Sequence, residues 1–352
     1  MESLRVERVT PRYDASLAFC RGMIGRVSRT FALGINVLPG ELGRAVLVSY
    51  LICRIADTIE DDATTSPERR NALLEELMRC FDGPDETAAF TLACADIAGA
   101  DYYLELVRGT PEVFTVFRSF PAASREAIRR WVGEMCRGMA EFVTRYPSGI
   151  RIQTTPEFRH YCYYVAGTVG HLLTELWPIF SPTVRKRDHG RMEATCELFG
   201  EALQTVNILK DIAWDYEHEN AVYVPEELLR TRGSSHERLL DGAQIGENRA
   251  AIGSLLVLAR SDLEAALEYY AAIPKQAIAI RMFCLLPILF ATATLRELER
   301  SNAMLSAGGS VKITRKEVRS LIAAGSLTTV SNHATRWLFA KTSRAPFALV
   351  LA

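Results

Sequence analysis

Two stretches of the chain place oxygen-bearing side chains at helical spacing among apolar neighbours. The first is Tyr50-Leu-Ile-Cys-Arg54-Ile-Ala-Asp57-Thr-Ile-Glu60-Asp61-Asp62. Residues three and four apart share a helix face, so Tyr50, Arg54, Asp57 and Asp61 form one stripe, with Glu60 beside it. Leu51, Ile52, Ile55, Ala56 and Ile59 on the same helix ask for burial. Clustered carboxylates repel, and burial makes that worse, unless a cation sits among them. Oxygen-only ligands suit Mg²⁺, which keeps several waters and bridges to a substrate's phosphates. The bland alternative is an exposed acidic helix end before the loop Ala63-Thr64-Thr65.

The second stretch, Gln204 to Asp215, repeats the logic. Asn207, Asp211 and Asp215 are spaced i, i+4, i+8, and Gln204 precedes Asn207 by three. Two such helices facing each other would make a pocket with Mg²⁺ on both walls, and its natural ligand is a diphosphate. Arg29, Arg54 and Lys210 supply cations for the diphosphate oxygens. A third segment, His160 to Gly170, carries Ala166, Gly167 and Gly170. Glycine costs helix propensity, so a close approach to the backbone is expected there, by a neighbouring helix or by a bulky substrate. Tyr164 borders that gap. Its ring face can stabilise a carbocation and its hydroxyl can exchange a proton, although a packed core tyrosine is the commoner role.

The elements that must hold these residues read as helices almost throughout. Apolar residues recur at three- and four-residue spacing over 15–37, 41–61, 67–80, 123–145, 157–180, 188–216, 225–231, 249–272 and 275–301. Strand-like alternation is scarce. Turn chemistry marks breaks at Asp82-Gly83-Pro84-Asp85, Tyr146-Pro147-Ser148-Gly149, Trp177-Pro178 and Gly308-Gly309-Ser310. Ser66-Pro67-Glu68 and Thr155-Pro156-Glu157 signal helix starts. Residues 233–248 read as a surface loop with a short helix. No long linker and no fixed repeat appears. The fold class is therefore all-α, with one large domain over 1–352, where the length of 352 residues would also accommodate two.

Composition excludes several classes. The chain is 49% hydrophobic and 24% charged, which rules out disorder and fibrous architectures. A net charge of −1 gives no bulk electrostatic case for nucleic acid and leaves room only for a local basic patch. Eight cysteines without a CxxC pair read as reduced, buried thiols in a cytoplasmic protein. The N-terminus lacks the apolar region of a signal peptide. The longest apolar run, Phe283 to Leu295, is 13 residues and contains Pro287, short of the roughly 20 that a spanning helix needs. The apolar residues 345–352 are shorter still.

Taken together, the motifs resemble the squalene/phytoene synthase family of head-to-head prenyltransferases. The matching segments are Ser28-Arg29-Thr30-Phe31, Arg54 to Asp62, Tyr161 to Gly170, and Gln204 to Asp215. The resemblance spans about residues 15 to 320. Phe283-Cys284-Leu-Leu-Pro287, Ala291 to Leu295 and Val311-Lys312-Ile313 look like the squalene-forming branch, as does Glu134 to Phe142. Two departures stand out. The family's second acidic motif reads Asp-x-x-Glu-Asp, and Trp214 occupies the Glu position. The stretch from Tyr216 to Pro225 lacks the usual arginine and is one residue longer.

The resemblance implies an isoprenoid-synthase-type helical fold with a central apolar tunnel. It implies Mg²⁺ on Asp57, Glu60, Asp61, Asp211 and Asp215, with Asn207 as a substitute oxygen ligand, and Tyr164 as the catalytic tyrosine. Ser28, Arg29, Phe31, Tyr50, Arg54, Gln204, Lys210 and Lys312 match positions linked to diphosphate or NADPH, and Phe283, Cys284 and Pro287 would line the nicotinamide side. The implied reaction joins two farnesyl diphosphates through presqualene diphosphate to squalene, with NADPH as reductant. Alternatives are a non-reductive product (presqualene diphosphate, dehydrosqualene or phytoene type), an aromatic prenyl acceptor, or a lipid-binding protein with a decayed site. A cytoplasmic protein without a membrane anchor, peripheral to the membrane for release of an apolar product, is expected.

Overall fold

Side-chain caps mark some of the helix starts: Ser28, Ser66, Thr154, Thr314 and Ser331 each accept a backbone N–H at a helix N-terminus. In the computed structural model, residues 2–184 and 186–349 are described, and the chain forms two compact units, Met1–Pro147 and Ser148–Ala352. In the first unit α1 (Glu2–Val27) gives way to α2 (Arg29–Ile35) at Ser28, whose extended backbone and Oγ, accepting from the Phe31 N–H, make a new N-cap. The single helix expected over 15–37 is therefore two, because a serine at a cap competes with continuation of the helix. Then follow α3 (Gly40–Glu60), α4 (Pro67–Arg79), α5 (Pro84–Ala93), α6 (Asp101–Arg108), α7 (Thr110–Arg118) and α8 (Ala122–Arg145). Ser66 caps α4 with Pro67 at its first turn, as its sequence signals. Helix α3 is central to this unit: α1, α4, α6, α7 and α8 all pack on it. Leu51, Ile52, Ile55, Ala56 and Ile59 are fully buried. The short α5, α6 and α7 escape the periodicity reading, since helices of two to three turns owe their stability to tertiary packing.

The second unit contains α9 (Thr155–Cys162), a π-helical turn at Tyr163–Gly167, α10 (Thr168–Phe180), α11 (Lys186–Glu193), α12 (Cys196–His218) and α13 (Glu226–Arg230). It continues with α14 (Ile245–Ala272), α15 (Ile278–Arg300), α16 (Arg315–Thr328) and α17 (Asn332–Thr342). The cap of α9 is Thr154, one residue before the expected signal. Pro178 lies inside the last turn of α10, where the lost N–H costs one bond near an end that frays anyway. Within 233–248 the expected short helix is two 3₁₀ turns, His236–Arg238 and Gly242–Gln244, and residues 245–248 open α14. His236 is buried there, its Nε2 2.7 Å from the Val224 carbonyl. Helix α12 packs on α9, α10, α14 and α15. Trp177 Nε1 and Thr174 Oγ1 both meet the buried Tyr269 hydroxyl at 2.8 Å.

Among the described residues the only β-pairing is an isolated bridge between Arg151 and Val222, in keeping with an all-α fold. Helix α15 is long and apolar enough to cross a membrane by length and composition, yet 83% of that window is buried inside the protein, as in a core helix. All eight cysteines are free, and all but Cys53 are fully buried. Burial pushes the thiols of Cys20, Cys53, Cys80 and Cys94 up to about 12, which keeps them protonated and unreactive. Of the apolar residues 345–352, 350–352 lie outside the described residues.

Candidate functional site

In the first unit the carboxylate stripe lies on the less buried side of α3. Tyr50, Arg54, Asp57 and Asp61 are all half-buried, one above another. Arg54 donates to the Asp57 carboxylate and, at 3.5 Å, to the Tyr50 hydroxyl. Its guanidinium lies 5.4 Å from the Tyr103 ring centroid. Burial works against the Arg54 charge, but Asp57, Tyr50 and Tyr103 outweigh it and hold the group above its ordinary value. Arg54 Nε is buried without a hydrogen-bond partner among the described residues. Such an unmet donor is what an anionic ligand would satisfy. Phe31 stacks at a tilt on Tyr50, centroids 5.0 Å apart, and Ser28 serves as the α2 cap, leaving Arg29 exposed at its first turn.

The acidic run at the end of α3 divides by role. Glu60 is 3% exposed and points inward, off the stripe. Asp62 accepts from the Thr64 and Ala98 N–H groups and from the Thr64 and Thr65 hydroxyls, at 2.6–3.0 Å. Burial would raise its carboxyl, but those hydrogen bonds outweigh it and hold the group below its usual range. Asp62 thus builds the turn after the helix.

In the second unit the α12 stripe is also split. Gln204, Lys210 and Asp211 are half-buried and Asn207 is exposed. The Lys210 ammonium pairs with the Asp211 carboxylate. Asp215 is buried and faces a narrow crevice lined by Ile208, Ile212, Tyr223 and Leu239. Burial, with Glu219 and Asp211 adding repulsion, pushes its carboxyl up to about 9. Asp211 is therefore the accessible carboxylate of this helix. Trp214 is 55% exposed and stacks on His218, centroids 3.8 Å apart at 12°.

Tyr164 sits in the π-helical turn, its ring 4.6 Å from His160 and 5.3 Å from Tyr163. Such turns put an extra residue into a helix and recur at functional sites. The small residues beside it admit a helix. A Cβ on Gly170 would stand 1.9 Å from the Cys196 carbonyl oxygen, and one on Gly200 2.1 Å from that of Ala166. Of the two occupants the sequence allows, the start of α12 fills the gap at Gly170.

Lys312 is exposed on the loop between α15 and α16. That loop is tied to α12: both Glu217 carboxylate oxygens accept from the Gly308 N–H, at 3.0 and 3.1 Å. Gly308 has φ +65°, and a Cβ on Gly309 would lie 1.8 Å from the Ala303 carbonyl oxygen, so this turn requires both glycines. Phe283 and Cys284 are buried in α15, Phe283 edge-on to Trp177 at 5.7 Å, and Pro287 is half-buried. Sequence reasoning missed Tyr103, Glu217 and the Trp214–His218 pair. Only the last left a signal, its i, i+4 spacing.

The donor chemistry fits Mg²⁺ shared with a substrate. The stripes offer oxygen ligands only, and among the described residues no cluster of three His, Cys, Asp or Glu could hold a metal alone. One or two carboxylates per ion completed by phosphate oxygens is the usual Mg²⁺ arrangement. For NADPH the fit is in charge alone: exposed Lys312 and Arg315 suit phosphates, and the sequence has no glycine-rich dinucleotide cradle.

The sequence profile of the squalene/phytoene synthase family matches residues 24–317. The chain belongs to this family. It is 31% identical over 288 residues to Botryococcus squalene synthase of Botryococcus braunii, covering 80% of this chain and 58% of that protein. Squalene synthase 1 of Arabidopsis thaliana is 28% identical over 279 residues, covering 79% and 64%. The chain thus spans about three-fifths of the length of these relatives. The ligand-bound structure of TcSQS superposes with a TM-score of 0.79 at 23% identity, covering 94% of this chain and 98% of the other, and shows the shared all-α fold.

Proposed function

We propose that this protein is a Mg²⁺-dependent prenyltransferase that joins two farnesyl diphosphates head to head, through presqualene diphosphate, to squalene. The observation that carries the reading is the pair of oxygen-rich stripes, each with an accessible aspartate beside a cation of its own helix: Arg54–Asp57 and Lys210–Asp211. Membership of the family and the similarity to squalene synthases support it. We take the two units to act as one catalytic domain.

In this reading Arg54, Lys210 and Arg29 bind diphosphate oxygens, while Asp57, Asp61 and Asp211 hold the metal, with Asn207 as an added oxygen donor. Bound Mg²⁺ supplies the positive charge that stabilises the departing diphosphate. Asp215 and Glu60, turned inward, tune the charge of their helices. Tyr164 presents its ring face to the allylic cation or donates a proton from its hydroxyl to the departing diphosphate. Apolar side chains exclude water, which would otherwise trap the cation. Lys312 would meet the phosphates of NADPH and Phe283, Cys284 and Pro287 would line its apolar side, and the cofactor would supply a hydride for the C30 cation. Trp214, where the family has a carboxylate, leaves the α12 wall with one fewer oxygen ligand. A cytoplasmic protein working at a membrane surface suits an apolar product.

The test is incubation with farnesyl diphosphate and Mg²⁺, with and without NADPH, followed by mass spectrometry. Squalene is expected with NADPH and presqualene diphosphate without it, and EDTA abolishes both. A product and rate indifferent to NADPH would overturn the reductive reading.

A further inference from the structure

The chain as a whole is nearly neutral, but its charge is unevenly placed. From Lys312 to Arg344 there are seven basic residues and one acidic residue. Glu268 of α14 offsets Arg336, at 2.6 Å, but the segment's own acid, Glu317, cannot offset the others at the surface. Its side chain is 4% exposed and pairs with buried Arg296 at 2.8 Å.

Helices α16 and α17 pack on each other and on α15, so their remaining faces turn outward. On α16 the exposed stripe runs Lys316, Arg319, Ala323, Leu327, and on α17 it runs His333, Trp337, Lys341. Large apolar side chains stand out among these charges: Leu327 is 74% exposed, Trp337 52% and Val330 51%. Lys341 Nζ lies 6.0 Å from the Trp337 ring centroid.

The corner that carries Leu327 and Val330 is rigidly held. Fully buried Arg281 donates from Nε to the Thr329 carbonyl at 2.6 Å and from its terminal nitrogen to Asn332 Oδ1 at 2.6 Å. The Tyr270 hydroxyl donates to the same carbonyl at 2.9 Å. The apolar side chains are thus displayed by a fixed frame, not by a frayed end. Ile278, 50% exposed one turn before Arg281, adjoins the corner.

We propose that the outer face of α16 and α17 docks on an anionic lipid bilayer, with Leu327, Val330 and Trp337 entering the interfacial layer and Arg319, Lys341 and Arg344 meeting lipid phosphates. The pattern favours a bilayer over a protein partner. Protein interfaces gather apolar residues at a core depleted of lysine, whereas here basic and apolar side chains alternate. Long basic side chains lay their stems on apolar surface with the charge at headgroup level. Tryptophan favours that same depth. Apolar insertion and attraction to anionic lipid then add. The proposal stands without the prenyl-transfer reading.

The experiment is co-sedimentation of the full chain with vesicles of phosphatidylcholine alone and with vesicles containing about one-third phosphatidylglycerol. Binding is expected only to the second, and is reduced at high salt, where screening shortens to roughly 3 Å. Leu327→Ser with Trp337→Ser should weaken partitioning at least about tenfold, the scale of losing two inserted apolar side chains. Arg319→Glu with Lys341→Glu should do the same independently. Thermal unfolding of each variant verifies the fold. Equal binding to both vesicle types, or wild-type binding by both variants, overturns the proposal. So does sedimentation velocity without vesicles showing a dimer that Leu327→Ser with Trp337→Ser dissolves, which would assign the face to a second copy of the chain.

Discussion

Asp57 and Asp62 stand five residues apart on the same acidic run and do different work. Asp57 has a side chain 31% exposed and pairs with Arg54. Such partly exposed pairs contribute about 0–1 kcal/mol to stability. Asp62 accepts four hydrogen bonds that shape a turn. Asp57→Asn should therefore leave the melting temperature nearly unchanged and lower turnover of farnesyl diphosphate at least about a hundredfold, the scale of losing electrostatic stabilisation of a leaving group. Asp62→Ala should cost about 1–3 kcal/mol of stability from orphaned donors. Steady-state kinetics beside thermal unfolding separates the two. The reverse pattern would remove Asp57 from the site.

At the scale of helices, backbone contact between α10 and α12 decides what the glycines are for. Gly170→Ala drives a Cβ to 1.9 Å from the Cys196 carbonyl oxygen, and backbone cannot yield as a flexible side chain does. A loss of about 1–3 kcal/mol is expected. Gly253, inside α14, has nothing within 4 Å of a built Cβ. Gly253→Ala should stabilise by roughly 0.5–1 kcal/mol, because alanine favours helix and narrows the unfolded ensemble. Denaturant unfolding of the two variants reads opposite signs from one substitution type. If Gly170→Ala proved neutral, the helices would not be in backbone contact. The sequence signalled a close approach at Gly167 and Gly170; only the packing shows that at Gly170 it is α12.

Across the second unit, a buried charge cluster links stability to pH. Arg159 pairs with Glu201 at 2.7 Å and with Asp262 at 3.4 Å, joining α9, α12 and α14. Burial, with Glu197 and Asp262 adding repulsion, outweighs Arg159 and pushes the Glu201 carboxyl up to about 7. Asp262 is raised as well, chiefly by burial. A raised acid binds more protons folded than unfolded between its two values. Its contribution to stability is thus fully present below about 4.5, the ordinary glutamate value, and is lost as pH rises through about 7. Glu201→Gln should flatten the fall in unfolding free energy between pH 5 and pH 8, measured by denaturant titration. An unchanged slope in the variant would show that Glu201 ionises normally. None of these three residues stood out in the sequence, because they lie 42 and 61 positions apart along the chain.

The sequence by itself determined the helical class, the two oxygen-rich stripes, the family and the buried state of the cysteines. Each rests on local periodicity or motif spacing, which a helix converts directly into a shared face. What it could not decide was which members of a stripe reach solvent. Asp211 and Asp215 are one turn apart on α12, yet one is half-buried beside Lys210 and the other is buried in a crevice behind it. A step of four residues turns the helix about 40° past a full circle, and the neighbouring 221–224 segment covers that side. Tyr103 reaches Arg54, and Glu217 reaches Gly308, through packing of elements far apart in the chain. Tertiary structure also placed the basic C-terminal helices around a rigid corner with Leu327 and Val330 outside. Burial of Arg281 fixes that corner, and nothing in the local pattern of residues 327–332 foretells it.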